Sequence, residues 1–143
     1  MRGKAMALLL SALGFAACNL DEGPTFTPST LNGPFALQVV NGAALPAAVF
    51  DSANPPLRVD ALSGVITIKS DNTFSDVTTF RQTLRGVVTT RTVTCVGTFT
   101  AVGSVFEFVE AGSLPDCGLM FSGQVSGTSL SASVLGVPAV YSQ

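Results

Sequence analysis

The sequence predicts an all-β fold, an antiparallel up-and-down meander of about eight strands closing into a β-barrel. Three observations carry this. From Gly33 onward, short runs rich in Val, Thr, Ile and Phe are separated by Asn41-Gly42, Ser63-Gly64, Asp71-Asn72, Arg85-Gly86, Gly103-Ser104 and Ser126-Gly127, the residue types of tight turns. No segment sustains a 3.6-residue apolar period. The apolar parity of one strand also passes across its turn onto the same face of the next, which a one-residue slip would invert.

In chain order, Phe35, Leu37 and Val39 supply the inward face of the first strand. Residues 43–60 carry Pro46, Pro55 and Pro56 and predict a long loop around a short strand near residues 48–50, lying over one barrel mouth. Ile66 and Ile68 point inward, and an odd loop at Ser70-Asp71-Asn72 sets Ile68 opposite Phe74. A two-residue turn at Arg85-Gly86 sets Leu84 opposite Val87 and puts Phe74, Phe80, Leu84, Val87, Val93 and Cys95 on one face. A turn at Gly103-Ser104 pairs Ala101 with Phe106 and Phe99 with Phe108, and points Glu107 outward. One at Ser126-Gly127 pairs Phe121 with Ala132 and Leu119 with Val134, with Val125 in line with Leu130. Closure removes every exposed edge. An open meander or a sandwich is the rival, and Pro138 leans toward it, because proline cannot donate within a fully paired strand.

Residues 1–18 read MRGKAMALLLSALGFAAC: Arg2 and Lys4, an apolar stretch from Ala5 to Leu13, then small residues leading into Cys18. This is the layout of a secretory signal peptide over residues 1–17, with an apolar run too short for a hydrocarbon core of about 30 Å. Phe15-Ala16-Ala17-Cys18 resembles the lipobox of bacterial lipoproteins, in which the cysteine thiol is lipidated and becomes the first mature residue; Phe15 stands where Leu is usual. The resemblance implies lipidation of Cys18 and a membrane partner gripped through acyl chains at about 0.8 kcal/mol per buried methylene. With Asn19 rather than Asp after the cysteine, it also implies the outer membrane of the cell envelope. Ordinary cleavage after Gly14-Phe15-Ala16, leaving Cys18 a plain thiol, is the alternative. Residues 18–32, rich in Pro, Thr, Asn and Gly, read as a flexible tether with a reach of roughly 20 Å, ahead of a barrel domain over residues 33–143.

Charged residues are 11% of the 143, and His and Trp are absent. The body is broken every few residues by Ser, Thr, Gly or Asp, which excludes a helical membrane protein. The formal net charge is −2, and −4 once Arg2 and Lys4 leave with a cleaved leader, so no basic surface tracks phosphates and nucleic acid is not expected as a partner. With Cys18 assigned to lipid, Cys95 and Cys117 are an even pair in an exported chain. A disulfide between them is expected, worth about 3 kcal/mol by loop entropy. The competing redox or metal reading needs a neighbour that lowers a thiol pKa, or further ligands.

The order GPFALQVVNGAALP, SGVITIKSDNTF, VGTFTAVGSVFEF and FSGQVSGTSLSASV resembles the lipocalin-like small lipoproteins of bacterial envelopes, over nearly all of residues 33–143. Each motif is a hairpin signature more than a chemical one, so the resemblance implies a lipocalin-like barrel and little about activity.

Hydrolase triads and dinucleotide sites lack their parts in this chain, so no enzyme activity, catalytic residue, cofactor or metal site is expected. Asp60, Asp71, Asp76, Glu107, Glu110 and Asp116 read as solvated strand faces and turn formers, a converging carboxylate pair being the alternative. Asp76, Thr78, Gln82, Thr89 and Arg91 share parity with Phe74, Phe80 and Val93, where an unpaired charge is costly. One explanation is a ligand cavity in which Arg91, with Gln82 and Asp76, meets an anionic head group while Phe80, Phe99, Phe106 and Phe108 line an apolar space. The other is that Arg91 snorkels out at a mouth or pairs with Asp76. Two functions follow: a lipid-anchored envelope protein that binds a small apolar or amphipathic ligand in its barrel, or a non-catalytic structural or surface lipoprotein whose barrel its own phenylalanines fill.

Overall fold

A computed structural model describes residues 31–112, 117 and 119–143. The expected signal peptide, Cys18, most of the tether and Asp116 lie outside these residues. Leu31, at the tether's end, is already packed into the core.

Ten strands form, and no helix is present among the described residues: β1 (Gly33–Val40), β2 (Ala43–Ala44), β3 (Ala47–Ala53), β4 (Pro56–Ile68), β5 (Thr73–Leu84), β6 (Val87–Val102), β7 (Val105–Ala111), β8 (Met120–Ser126), β9 (Ser129–Val134) and β10 (Val137–Ser142). Their order is β2-β1-β10-β9-β8-β7-β6-β5-β4-β3, and β1 also pairs with β4. Eight of the ten, β1 and β4 to β10, therefore close into an antiparallel barrel. Pro138 is compatible with closure for a local reason. Its carbonyl accepts the Asn41 N–H at 2.7 Å, so its nitrogen faces the same side, where pairing with β1 has ended at Val40↔Ala139.

Several expected registers hold, among them Ile68↔Phe74, Leu84↔Val87, Phe99↔Phe108 and Ala101↔Phe106. Arg85 at φ 51° and Gly86 at φ 84° give the paired left-handed residues of a type I′ turn, whose twist matches that of the strands it joins. Leu135 and Gly136 do the same between β9 and β10, at a Leu-Gly turn that is not among those expected above.

Four expectations are corrected. The β8–β9 turn sits at Gly127-Thr128, so Val125 faces Leu130 and Ser126 faces Ser129. Every partner moves by two residues, and the inward parity survives because the shift is even. In β1 a bulge between Leu37 and Val39 reverses the parity, so Val40 is buried and Val39 is not. Residues 43–60 are mostly strand rather than loop. Pro46 falls between β2 and β3, Pro55 in the β3–β4 turn, and Pro56 at the first position of β4, all places where a missing donor is tolerated. Leu84 and Val87 share the inward face but are exposed, because the β5–β6 hairpin outruns the barrel: β7 pairs with β6 only from Val96 onward.

The barrel's middle is filled by rings. Phe108 stacks on Phe121 at 4.8 Å and meets Phe74 edge-on at 5.0 Å, while Phe99 and Phe106 lie 5.5 Å apart and both neighbour Phe108. Room for them comes from inward positions without a side chain. A Cβ on Gly97 would stand 2.7 Å from Phe74 Cε1 and 2.9 Å from the Glu110 Cα, and one on Gly123 would stand 3.1 Å from Phe108 Cε2.

The two ends differ. At one, the turns after β4, β6 and β8 are tied down: Asn72 O, Ser104 O and Thr128 O accept the N–H groups of Phe99, Val125 and Gln143 at 2.9–3.0 Å. At the other lie the β1–β2 and β9–β10 turns and the segment between β7 and β8. Past this second mouth, β3, the first half of β4, the second half of β5 and the first half of β6 continue as a four-stranded ribbon.

Candidate functional site

The site at the second mouth is built by alternation. On β5, Phe74, Asp76, Thr78 and Phe80 face inward in turn; on β7, Phe106, Phe108 and Glu110 do. Asp76 stands opposite Cys95 on β6, and Glu110 stands opposite Gly97, two residues along the same strand. Two carboxylates thus flank one strand on the inside of the barrel.

Between them and the mouth is a partly open cavity of about 130 Å³, walled by Asp76, Thr78, Glu110, Phe80, Val93 and Phe121 and bordered by Leu119, Met120 and the β9–β10 turn. None of its lining side chains is basic. Thr78 Oγ1 donates to Asp76 Oδ1 at 2.8 Å, and Glu110 Oε2 accepts the Leu119 N–H at 3.1 Å. Burial pushes the Asp76 carboxyl up to about 6; the Thr78 hydrogen bond opposes this, and the charge of Glu110 adds to it. Tyr141, from β10, is fully buried, and its hydroxyl has no hydrogen-bond partner among the described residues. Burial, then the charges of Asp76 and Glu110, drive its phenol upward as well, which sets the hydroxyl in the field of both carboxylates.

No family model, curated protein or solved structure matches the chain. The small closed barrel with its apolar core is consistent with a lipocalin-like domain.

The residues expected to form a site are spread over three places. Asp76 and Phe80 line the mouth cavity. Phe99, Phe106 and Phe108 do not; they are the packed rings of the barrel's middle. Arg91 pairs in register with Phe80, and Gln82 with Thr89, on the inner face of the ribbon beyond the mouth, where Arg91 is exposed. Cys95 and Cys117 are joined, Cα to Cα 5.6 Å, and the bond ties the β7–β8 segment to β6 at the edge of the cavity. Such a disulfide fits an oxidising, exported environment.

Two further carboxylates have structural roles. Asp60 is on the outer face of the ribbon and buried, receiving Arg58 Nε at 2.8 Å and Arg81 Nη2 at 2.9 Å. Burial alone would raise it, but the hydrogen bonds and charges of the two arginines prevail and hold it below its usual range. Asp71 Oδ1 accepts the Thr73 N–H and hydroxyl, as a turn former does. Tyr141 is a residue that the sequence reading did not single out, and Glu110 appears there only among six carboxylates read as solvated strand faces or turn formers, a reading that burial overturns for Glu110 and Asp60. Their signal was parity: Glu110 continues Phe106 and Phe108, and Tyr141 continues Ala139.

Proposed function

We propose that the chain is a lipid-anchored protein of the bacterial cell envelope, held at the outer membrane through Cys18, whose barrel is a non-catalytic structural or interaction module rather than a carrier of long-chain lipids. The observation that carries this is the filled middle of the barrel. Phe74, Phe99, Phe106, Phe108 and Phe121 contact one another across the space a lipid tail would occupy. The remaining space at the mouth, about 130 Å³, is below the roughly 300–1,000 Å³ of sites for larger organic ligands. The lipobox-like Phe15-Ala16-Ala17-Cys18 and the exported-type disulfide support the address.

Mass spectrometry of protein purified from its own envelope tests both halves. The expected N-terminal peptide begins at Cys18 with acyl mass added, and the native protein carries no long-chain molecule beyond that anchor. A free, unmodified N-terminus would end the lipoprotein reading, and a stoichiometric co-purifying lipid would end the packed-barrel reading.

A further inference from the structure

A cavity whose lining, among the described residues, holds two carboxylates and no lysine or arginine is an unusual balance. Burying a carboxylate is expensive, and the ordinary compensation is an opposite charge close by. Asp60 shows this compensation within the same molecule, with an arginine on each of its oxygens. Asp76 and Glu110 lack it. Their described hydrogen bonds engage Asp76 Oδ1 and Glu110 Oε2, from a hydroxyl and a backbone N–H. The second oxygen of each takes no part in these bonds. An independent observation concerns Tyr141, whose fully buried hydroxyl has no hydrogen-bond partner among the described residues and lies within the field of the same two carboxylates. Orphaned buried hydroxyls are uncommon and mark places where a partner belongs. The other walls, Phe80, Val93, Phe121 and Val134, are apolar. The cavity is thus acidic at its floor and apolar at its sides.

We infer that the mouth cavity is a binding site for a small organic ammonium ion, its charged head held between Asp76 and Glu110 and its short alkyl tail lying against Phe80, Val93 and Phe121. The volume of about 130 Å³ sets the size. A cavity of about 150 Å³ takes benzene, so the occupant has roughly six non-hydrogen atoms or fewer. An ammonium with a tail of four carbons fits, whereas a fatty acid or phospholipid has both the wrong length and the wrong charge. The titratable groups that line the cavity are Asp76 from β5 and Glu110 from β7; β6 contributes Cys95, which is oxidised, and β9 contributes Ser133, while Tyr141 of β10 is not a lining residue but feels the charges of both carboxylates. Binding therefore weakens as Asp76 takes up a proton. The same butylammonium group occurs in free amines and at the end of a lysine side chain, and the cavity chemistry is shared by both. This site is independent of the membrane anchor.

The test is a titration of the detergent-solubilised full chain with n-butylammonium at pH 8, followed by calorimetry. Saturable binding is expected, at least tenfold weaker in Asp76→Asn and in Glu110→Gln, and at least tenfold weaker at pH 5 than at pH 8. n-Butanol and butyrate, which share the tail but not the charge, should bind at least tenfold more weakly. Nα-acetyl-lysine methylamide displaces n-butylammonium if the source is a protein lysine and fails to if it is a free amine; either result requires the site to exist. No saturable binding by folded wild-type protein, n-butanol binding as tightly as the amine, or undiminished binding by both variants would each overturn the inference, circular dichroism having first confirmed that every protein is folded.

Discussion

Asp76 and Asp60 are both aspartates on strands of one barrel, yet their surroundings drive them in opposite directions. Asp76 is half-buried with no cation bonded to it, and its carboxyl is pushed up to about 6; Asp60 is buried under Arg58 and Arg81 and is held below its usual range. The consequences for stability have opposite sign. A carboxyl that holds its proton more tightly when folded favours the native state most when protonated, so the Asp76 contribution declines as the pH rises from about 4 to about 6 and stays low above that. Asp60 behaves in reverse: its contribution is present above about pH 4 and is lost as the pH falls through its lowered folded value. Asp76→Asn keeps the acceptor for Thr78 and removes the half-buried charge. It is expected to raise stability at pH 7, with no ligand bound, by on the order of 1–3 kcal/mol and to flatten the pH dependence between 4 and 6. Urea unfolding of both proteins at pH 4.5 and pH 7 measures this, and a variant less stable than wild type at pH 7 would contradict it.

Strands β5, β6 and β7 owe their close fit to what is missing from them. Gly97 lies between Phe74 and the backbone of β7, and a methyl group there meets Phe74 Cε1 at 2.7 Å and the Glu110 Cα at 2.9 Å, with the Val109 carbonyl oxygen closer still. A ring can tilt away, but two backbone atoms cannot without opening the β6–β7 pairing. Gly97→Ala is therefore expected to cost about 3 kcal/mol or more, at the upper end for overpacking, and thermal melting would show it as a lowered midpoint. The disulfide acts on the neighbouring element. It ties Cys117, ahead of β8, to Cys95 in the middle of β6, beyond the last residue that β7 pairs with. Replacing both cysteines by serine should lower stability by about 3 kcal/mol, read as a shifted urea midpoint, while the far end of the barrel keeps its turn-to-strand hydrogen bonds. An unchanged midpoint would mean that the loop is held by other contacts.

Taken whole, the molecule pairs a closed, ring-filled barrel with a ribbon that rises past one mouth. The barrel has no open edge where it is closed, which suits a domain that stays folded beside a membrane. If Cys18 carries the lipid, Cys18→Ser should move the protein from the detergent phase to the aqueous phase on cloud-point partition without changing the melting temperature of the barrel, since the two parts are joined by a short segment ahead of β1. Retention of the variant in the detergent phase would place membrane attachment elsewhere in the chain.

Strand content, the inward faces of β5, β6 and β7 and the Cys95–Cys117 pairing were all readable along the chain, because period-two alternation, turn residues and an even count of cysteines are local properties. Parity even survived the misplaced β8–β9 turn, as a shift of two residues leaves every side chain on its own face. The β1 bulge was not readable: an extra residue leaves the composition of the strand unchanged and shows only in its pairing with β10. Nor was the overshoot of the β5–β6 hairpin, which carries Arg91 outside the barrel, because the height of a wall depends on how far the neighbouring strands reach. The acidic cavity belongs to the same class. Alternation put Asp76 indoors and could have put Glu110 there, but bringing both into one cavity, with Tyr141 in their field, needed β5, β7 and β10 to curve around a common axis. Closure is a property of the pairing of β1 with β4, between segments separated by two other strands, and no local pattern encodes which side chains then face one another across the interior.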